Sequence, residues 1–281
     1  MANRKKRRVR WDRVALVGIP LFLLILLIAH GCGGDETEQS SGADTQIAAV
    51  TTTWAAAEQA AQTTAATVET EAVQTYFSEL VVCLDAGHGG GDGGAVNSTN
   101  TRAEKDDNLA LALATRDAFL KYPNVRVVMT RETDEFIELQ ERCDIANNNN
   151  ANFFISLHRN SAESGNGVEI WINNDSGSEN TWDKLMAEYI MDWLDHVGIS
   201  ERRGIHTGFR NSTVKHESNN YYVNRYTNMP SCLIEMGFMT SAVDNNNFDI
   251  HKEEYAEAIA GALIELLTDK GLYDPALEKM P

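Results

Sequence analysis

The sequence predicts an α/β domain with a mostly parallel sheet, preceded by a membrane anchor and a disordered linker. Three observations support this architecture. Apolar runs of strand length alternate with longer amphipathic segments after residue 79, a pattern typical of parallel sheets. Residues 14–29 form an uncharged apolar run, and residues 33–77 contain few large apolar side chains. With 281 residues, the chain is long enough for one or two domains.

The N-terminal segment has the pattern of a membrane anchor. Residues 1–13 are basic, and the apolar run VALVGIPLFLLILLIA follows. This run is slightly shorter than the roughly 20 residues of a full span, but its flanks extend it into the interfaces. We predict an uncleaved anchor over residues 1–32 that leaves the rest of the chain outside the cytoplasm. A cleaved signal peptide is the alternative. Cys32 also suggests a lipoprotein, although Ala29-His30-Gly31 is a poor lipobox.

Residues 33–77 are rich in Thr, Ala, Gln, Glu and Ser. Such a composition buries too little apolar surface to offset the entropy of ordering, so we predict a flexible linker. The catalytic domain is predicted over residues 78–273, with a short tail over 274–281.

The charge balance argues against nucleic acid as a partner. The net charge is −17, and residues 1–30 carry seven of the 24 basic residues but one of the 41 acidic ones. The remaining 17 basic and 40 acidic residues make the body strongly negative, whereas phosphate binding needs a basic face.

The predicted elements follow from the apolar patterns. The predicted strands are Leu80–Asp85, Val125–Thr130, Phe153–His158, Val168–Ile172, Tyr221–Asn224 and Cys232–Met236. The predicted helices are Glu104–Lys121, Phe136–Asn149, Asn180–Val197 and Glu253–Leu267. The polar stretch 201–219, which contains His206 and His216, is expected to be an exposed loop.

A glycine-rich turn follows the first strand in the sequence LVVCLDAGHGGGDGG. The glycines allow a tight turn, which places Asp85 and His88 at the carboxyl end of a central strand, where open α/β sheets carry their sites. On this stretch alone, His88 is either a loop residue or a metal ligand or base.

Three further residues join His88. Glu104 opens the first helix, His158 ends an apolar strand, and Glu235 lies within the apolar strand CLIEM. The first two also have structural alternatives, Glu104 as a helix-start acid and His158 as a core histidine. A charged Glu235 is costly to bury unless it is paired or bound to a cation. Two histidines and a carboxylate match a catalytic zinc site with an open position, and the second glutamate suits a general base.

The four cysteines are far apart and include no CxxC pair. This spacing excludes a zinc–cysteine cluster and a small disulfide framework. We expect Cys83, Cys143 and Cys232 to be buried free thiols.

In order along the chain, VVCLDAGHGGGDGGAV, EKDDNLALAL, TRETDEFIELQERCDIANNNNANFFISLHRN, GVEIWI and MPSCLIEMGFMTS resemble the zinc-dependent N-acetylmuramoyl-L-alanine amidases of the Amidase_3 type. The resemblance covers residues 79–270. It implies a single α/β domain whose twisted, largely parallel sheet is flanked by helices. It also implies one Zn²⁺ held by His88, Glu104 and His158, with Glu235 as the catalytic glutamate.

The resemblance implies hydrolysis of the amide between the lactyl group of N-acetylmuramic acid and L-alanine in peptidoglycan. The chain would then act at the outer face of the cell membrane or in the wall. Another zinc peptidase and an inactive wall-binding regulator are the alternatives. Asp85 is expected to orient a ligand histidine and Asn160 to contact substrate. Arg159 stands where the family usually has a small residue, so altered substrate contacts are expected there.

Overall fold

A single six-stranded sheet organises the computed structural model, which describes residues 77–97, 99–174, 181–208 and 220–276. Its strands are β1 Leu80–Ala86, β2 Val125–Met129, β3 Phe153–Asn160, β4 Val168–Ile172, β5 Arg202–Thr207 and β6 Ser231–Phe238. Its helices are α1 Glu104–Phe119, α2 Leu139–Asn148, α3 Trp182–Val197, α4 Tyr222–Tyr226 and α5 Ala242–Asp269.

The strand order is β2-β1-β3-β6-β4-β5. All neighbouring strands run parallel except β4, which pairs antiparallel with β6. The carboxyl ends of β1, β3 and β6 therefore meet at one edge in the middle of the sheet. This arrangement confirms the predicted mostly parallel α/β sheet flanked by helices.

Alternate side chains of the strands divide the core into two layers. On one face, Val82 and Leu84 of β1 pack in the large core formed with α1, α3 and α5. On the other face, Val81 and Cys83 pack in a smaller core with α2 and α4. The predicted buried free thiols are confirmed for Cys83, Cys143 and Cys232.

Two predictions of local structure are wrong. The sequence predicts a strand over Tyr221–Asn224, but the chain forms the short helix α4 here. It predicts a loop over residues 201–219, but the first of these residues form the edge strand β5, which includes His206. His216 lies outside the described residues. Helix α5 also begins earlier than expected, because Ser241 caps its N-terminus by accepting a hydrogen bond from the amide of Asp244.

Within the described ranges, no helix has the length and apolar character needed to cross a membrane. The predicted anchor over residues 1–32 and nearly all of the predicted linker lie outside those ranges, so both stay predictions.

Candidate active site

His88, Glu104 and His158 come together at the carboxyl edge of the sheet. His88 follows β1, Glu104 is the first residue of α1, and His158 lies near the end of β3. Glu104 Oε2 is 3.3 Å from His88 Nε2, and Glu104 Oε1 is 2.9 Å from His158 Nδ1. One potential ligand atom from each of the three residues lies within 4.8 Å of the others. Two imidazole nitrogens and one carboxylate at this spacing match the ligands that Zn²⁺ takes in catalytic sites.

The loop after β1 has an unusual backbone that brings His88 to this position. His88 adopts a left-handed conformation with φ 61°, which few non-glycine residues adopt. Gly94 also has a positive φ, and a β-carbon there would lie 2.6 Å from the His88 ring and 2.7 Å from Glu104 Oε2. The glycine-rich sequence therefore lets the loop backbone approach both candidate ligands closely.

Glu104 is buried and held by several donors. The backbone amide of Ala95 donates to Oε2 at 2.8 Å, and the amide of Arg159 donates to Oε1 at 3.0 Å. Burial alone would raise the pKa of Glu104, but hydrogen bonds from His158 and His88 hold the pKa of this carboxyl well below its usual range. Glu104 is therefore an ionised carboxylate, the form that ligates a metal.

Asp92 is a residue of the site that the sequence analysis did not identify. Its Oδ2 atom lies 2.8 Å from Nδ1 of His88, four residues earlier in the same loop. A carboxylate on one ring nitrogen fixes the imidazole orientation and directs the other nitrogen to the metal position. Burial lowers the pKa of His88, but the hydrogen bonds and charges of Glu104 and Asp92 outweigh it and raise that pKa to about 9.

Glu235 lies beside His158. The two residues are paired in register between the parallel strands β3 and β6, and Glu235 is 9 % exposed. Burial lowers the pKa of His158, but the hydrogen bond to Glu104, followed by the charges of Glu104 and Glu235, raises it overall. All four residues expected to form the centre therefore lie together at one sheet edge.

Asp85 binds groups other than the histidines. Its carboxylate accepts hydrogen bonds from Thr130 Oγ1 at 2.8 Å, Arg142 Nη1 at 2.7 Å and Ser156 Oγ at 2.6 Å. Arg142 in turn donates to the backbone carbonyl of His88 at 2.8 Å. Asp85 therefore reaches His88 through Arg142. The expected role of Asp85 in orienting a histidine stays a prediction.

The two residues after His158 are buried. Asn160 is 2 % exposed, and its Nδ2 donates to Glu169 at 2.7 Å; its expected contact with substrate stays a prediction. Arg159 is 1 % exposed, and its side chain donates to Asp107 on α1 and to Asn245 on α5. The side chain of Arg159 does not line the cleft beside the histidines, and the expectation that it alters substrate contacts stays a prediction.

A cleft of about 560 Å³ opens beside the histidines. Its polar side includes His88, Asp92 and His158, and its apolar side is formed by residues around α2 and α4. The apolar residues are Phe136, Ile137, Leu139, Tyr221, Tyr222, Val223 and Leu233. A cleft of this volume is in the range that holds small-molecule ligands, and it lies beside two of the candidate metal ligands.

The fold and the site define a class, the single-sheet α/β proteins with a candidate metal centre at the carboxyl ends of the central strands. The Amidase_3 family, described as N-acetylmuramoyl-L-alanine amidase, matches residues 82–268. Because this match covers about two thirds of the chain, the chain belongs to that family. It confirms the predicted family and the predicted enzyme class, hydrolysis of the N-acetylmuramoyl-L-alanine amide of the cell wall.

The chain is also similar to individual proteins, some of which are named as amidases. The chain is 35 % identical to the uncharacterised protein YqiI of Bacillus subtilis, over 65 % of this chain and 81 % of YqiI. It is 36 % identical to the amidase CwlM of Bacillus licheniformis, over 59 % of this chain and 58 % of CwlM. The match thus spans little more than half of CwlM. The crystal structure of an N-acetylmuramoyl-L-alanine amidase from Clostridium difficile 630 superposes with a TM-score of 0.61 and 30 % identity, covering 69 % of this chain and 99 % of that one.

Proposed function

We propose that this protein hydrolyses the amide bond between the lactyl group of N-acetylmuramic acid and L-alanine in peptidoglycan, with one Zn²⁺ held by His88, Glu104 and His158. The observation that supports the metal most directly is the spacing of Glu104 between two histidine nitrogens, at 2.9 and 3.3 Å. An ionised, buried carboxylate between two imidazoles has the donor set and burial that a zinc ion requires.

Glu235 is proposed as the general base. A zinc ion supplies Lewis acidity, which activates water for attack and polarises the scissile carbonyl. Glu235 accepts the proton of the attacking water as the new C–O bond forms. It then returns the proton to the amine of L-alanine as the C–N bond breaks. Its strand register beside His158 supports this role, because it places the carboxylate next to a candidate ligand.

The test is digestion of purified peptidoglycan by the full-length chain, with the products identified by mass spectrometry. We expect free stem peptides that begin with L-alanine, and we expect a chelator to abolish them. Glu235→Gln should lower the rate by about 10²–10⁴-fold, the usual contribution of a general base. Glu257→Gln is the control, since Glu257 on α5 is exposed, pairs with Lys121 and does not line the cleft.

The outcome of this digestion also distinguishes the two alternatives. Products cut within the stem peptide would assign the chain to the zinc peptidases. Bound zinc without any product would indicate a wall-binding regulator. Full activity in Glu235→Gln would reject Glu235 as the base.

Residues 1–32 are proposed to anchor the protein in the cytoplasmic membrane, with residues 33–77 as a tether to the wall. The seven basic residues before the apolar run support this orientation. The intact mass of the chain extracted from membranes tests the proposal. A mass that lacks the first 30 or so residues would show cleavage, and a lipid adduct at Cys32 would show a lipoprotein.

A further inference from the structure

We propose that Arg131 and Arg142 are positioning residues that set the spacing of the three segments carrying the candidate metal ligands. This inference rests on the metal site of the proposed function. It concerns two residues that touch no candidate ligand side chain and that hold the backbone around the ligands.

Arg142 joins the end of β1 to His88. Its side chain is 3 % exposed and lies on α2. One nitrogen, Nη1, donates to Asp85 Oδ1 and to the carbonyl of Ala86, both at 2.7 Å. The other, Nη2, donates to the carbonyl of His88 at 2.8 Å. The planar guanidinium of Arg142 thus holds the backbone of His88, which adopts the left-handed conformation.

Arg131 joins the same loop to helix α1. It follows β2 and is 2 % exposed. Its Nη2 donates to the carbonyl of Gly87 at 3.0 Å and to the carbonyl of Lys105 at 2.8 Å. Gly87 precedes His88, and Lys105 follows Glu104. One nitrogen atom therefore lies between the two ligand-bearing segments and bonds to both.

The third segment is connected through Asp85. Ser156 donates to Asp85 Oδ2 at 2.6 Å, and it lies two residues before His158 on β3. Since Asp85 also binds Arg142, a continuous chain of hydrogen bonds links β3 to the loop of His88. The two arginines and Asp85 thereby connect all three ligand-bearing segments.

Burying these two arginines costs free energy, and stabilising the fold alone would not require them. Two guanidinium groups are buried close together, and both burial and the charge of Arg142 lower the pKa of Arg131. Among the described residues, the hydrogen bonds of the Arg131 side chain all end on carbonyl oxygens. A packed apolar group would be less costly to bury. A rigid fork with several donors, however, fixes the carbonyls of consecutive residues relative to one another.

The experiment measures zinc affinity in the full-length chain by competition with a chromophoric chelator. Arg131→Lys and Arg142→Lys retain the charge and remove the fork. We expect each to weaken zinc binding about 10–100-fold, the usual effect of losing a group that orients metal ligands. The visible spectrum of the Co²⁺-loaded protein, which reports ligand geometry, should change in both variants. Arg126→Lys is the control, because Arg126 also binds a carboxylate and a backbone carbonyl, but these belong to Glu79 and Asn149, away from the candidate ligands.

The outcomes separate this inference from the metal site itself. Failure of the unaltered protein to bind zinc would reject the proposed function. Normal zinc affinity and an unchanged Co²⁺ spectrum in both lysine variants would overturn the positioning role, even if the variants were less stable. If a lysine variant does not fold, Ser156→Ala removes only one link to Asp85. It should still weaken zinc binding several-fold, and an unchanged affinity there would count equally against the inference.

Discussion

At the scale of single residues, Gly87 is constrained by the side chain it faces. A β-carbon at this position would lie 2.2 Å from Cε1 and Nε2 of His158. Such a distance is far inside van der Waals contact, so any larger residue must displace the imidazole or the loop. A β-carbon at Gly91, four residues later, would have no neighbour within 4 Å among the residues that the structure describes. Gly87 and Gly91 therefore differ in whether the structure has room for a larger side chain at their positions.

We expect Gly87→Ala to lower both zinc affinity and activity at least tenfold, because the methyl group pushes His158 out of place. Overpacking at this site should also lower the free energy of unfolding by about 1–3 kcal/mol. Gly91→Ala should leave zinc affinity within about twofold of the unaltered protein. Metal titration and peptidoglycan digestion of the two variants test the difference, and equal zinc affinities would show that His158 adapts to the methyl group.

The four candidate site residues could be singled out from the sequence because each breaks a pattern or opens an element. His158 and Glu235 interrupt apolar strands, His88 lies in a glycine-rich turn, and Glu104 stands at the start of a helical pattern. The residues that support them carry no comparable mark. Arg131 and Arg142 look like ordinary charged residues beside a strand and within a helix, and only the tertiary structure shows that both are buried.

Among the helices and strands, the most deeply buried elements were the easiest to predict from the sequence. Strands β1, β3 and β6 are buried along nearly their whole length and read as largely continuous apolar runs. The edge strand β5 has one large apolar residue, Ile205, and is mostly half-exposed, so its sequence resembles a loop. The aromatic start of α4 has strand propensity, but packing against α2 and β6 decides its conformation.

The start of α2 forms one side of the cleft and exposes Leu139, which is 52 % exposed. Contact of this side chain with a substrate would bury apolar surface, worth about 1 kcal/mol for half a leucine. We therefore expect Leu139→Asn to raise KM for a soluble muropeptide roughly fivefold with little change in kcat, since binding is lost equally in ground and transition states.

Leu120 offers a matched control for the cleft. It is also 52 % exposed but follows α1 and does not line the cleft. Leu120→Asn should leave KM and kcat unchanged in the same steady-state assay. A fall in kcat for Leu139→Asn at constant KM would contradict the prediction that Leu139 contributes to substrate binding.

At the scale of the whole molecule, the strand order explains how distant residues meet. His88, His158 and Glu235 are separated by 70 or more residues along the chain. Strands β1, β3 and β6 are nonetheless consecutive neighbours in the sheet, and their parallel direction brings their carboxyl ends together. Asp85 of β1 is one of the charged residues buried beneath that edge, where it pairs with Arg142.

The Asp85–Arg142 pair should make the stability of the domain depend on pH. Burial raises the pKa of Asp85, but the charge of Arg142 and hydrogen bonds from Ser156 and Arg142 lower it overall from the ordinary value of 3.8. The folded pKa is thus below the unfolded one. The stabilisation is complete above the unfolded pKa and is lost as the pH falls through the folded pKa.

Asp85→Asn leaves Arg142 buried without its carboxylate, so we expect it to lower the free energy of unfolding at pH 7 by about 3–5 kcal/mol. Urea unfolding between pH 7 and 3, with chelator present throughout, measures this loss without a metal contribution. The difference between the two proteins should narrow as the pH falls below about 4, the range in which the stabilisation by the native carboxylate is lost. Asp117→Asn, at an exposed pair with Arg116, should change the free energy by no more than about 0.5 kcal/mol. A difference for Asp85→Asn that stayed constant or widened towards low pH would show that the charge of Asp85 is not what holds Arg142 in place.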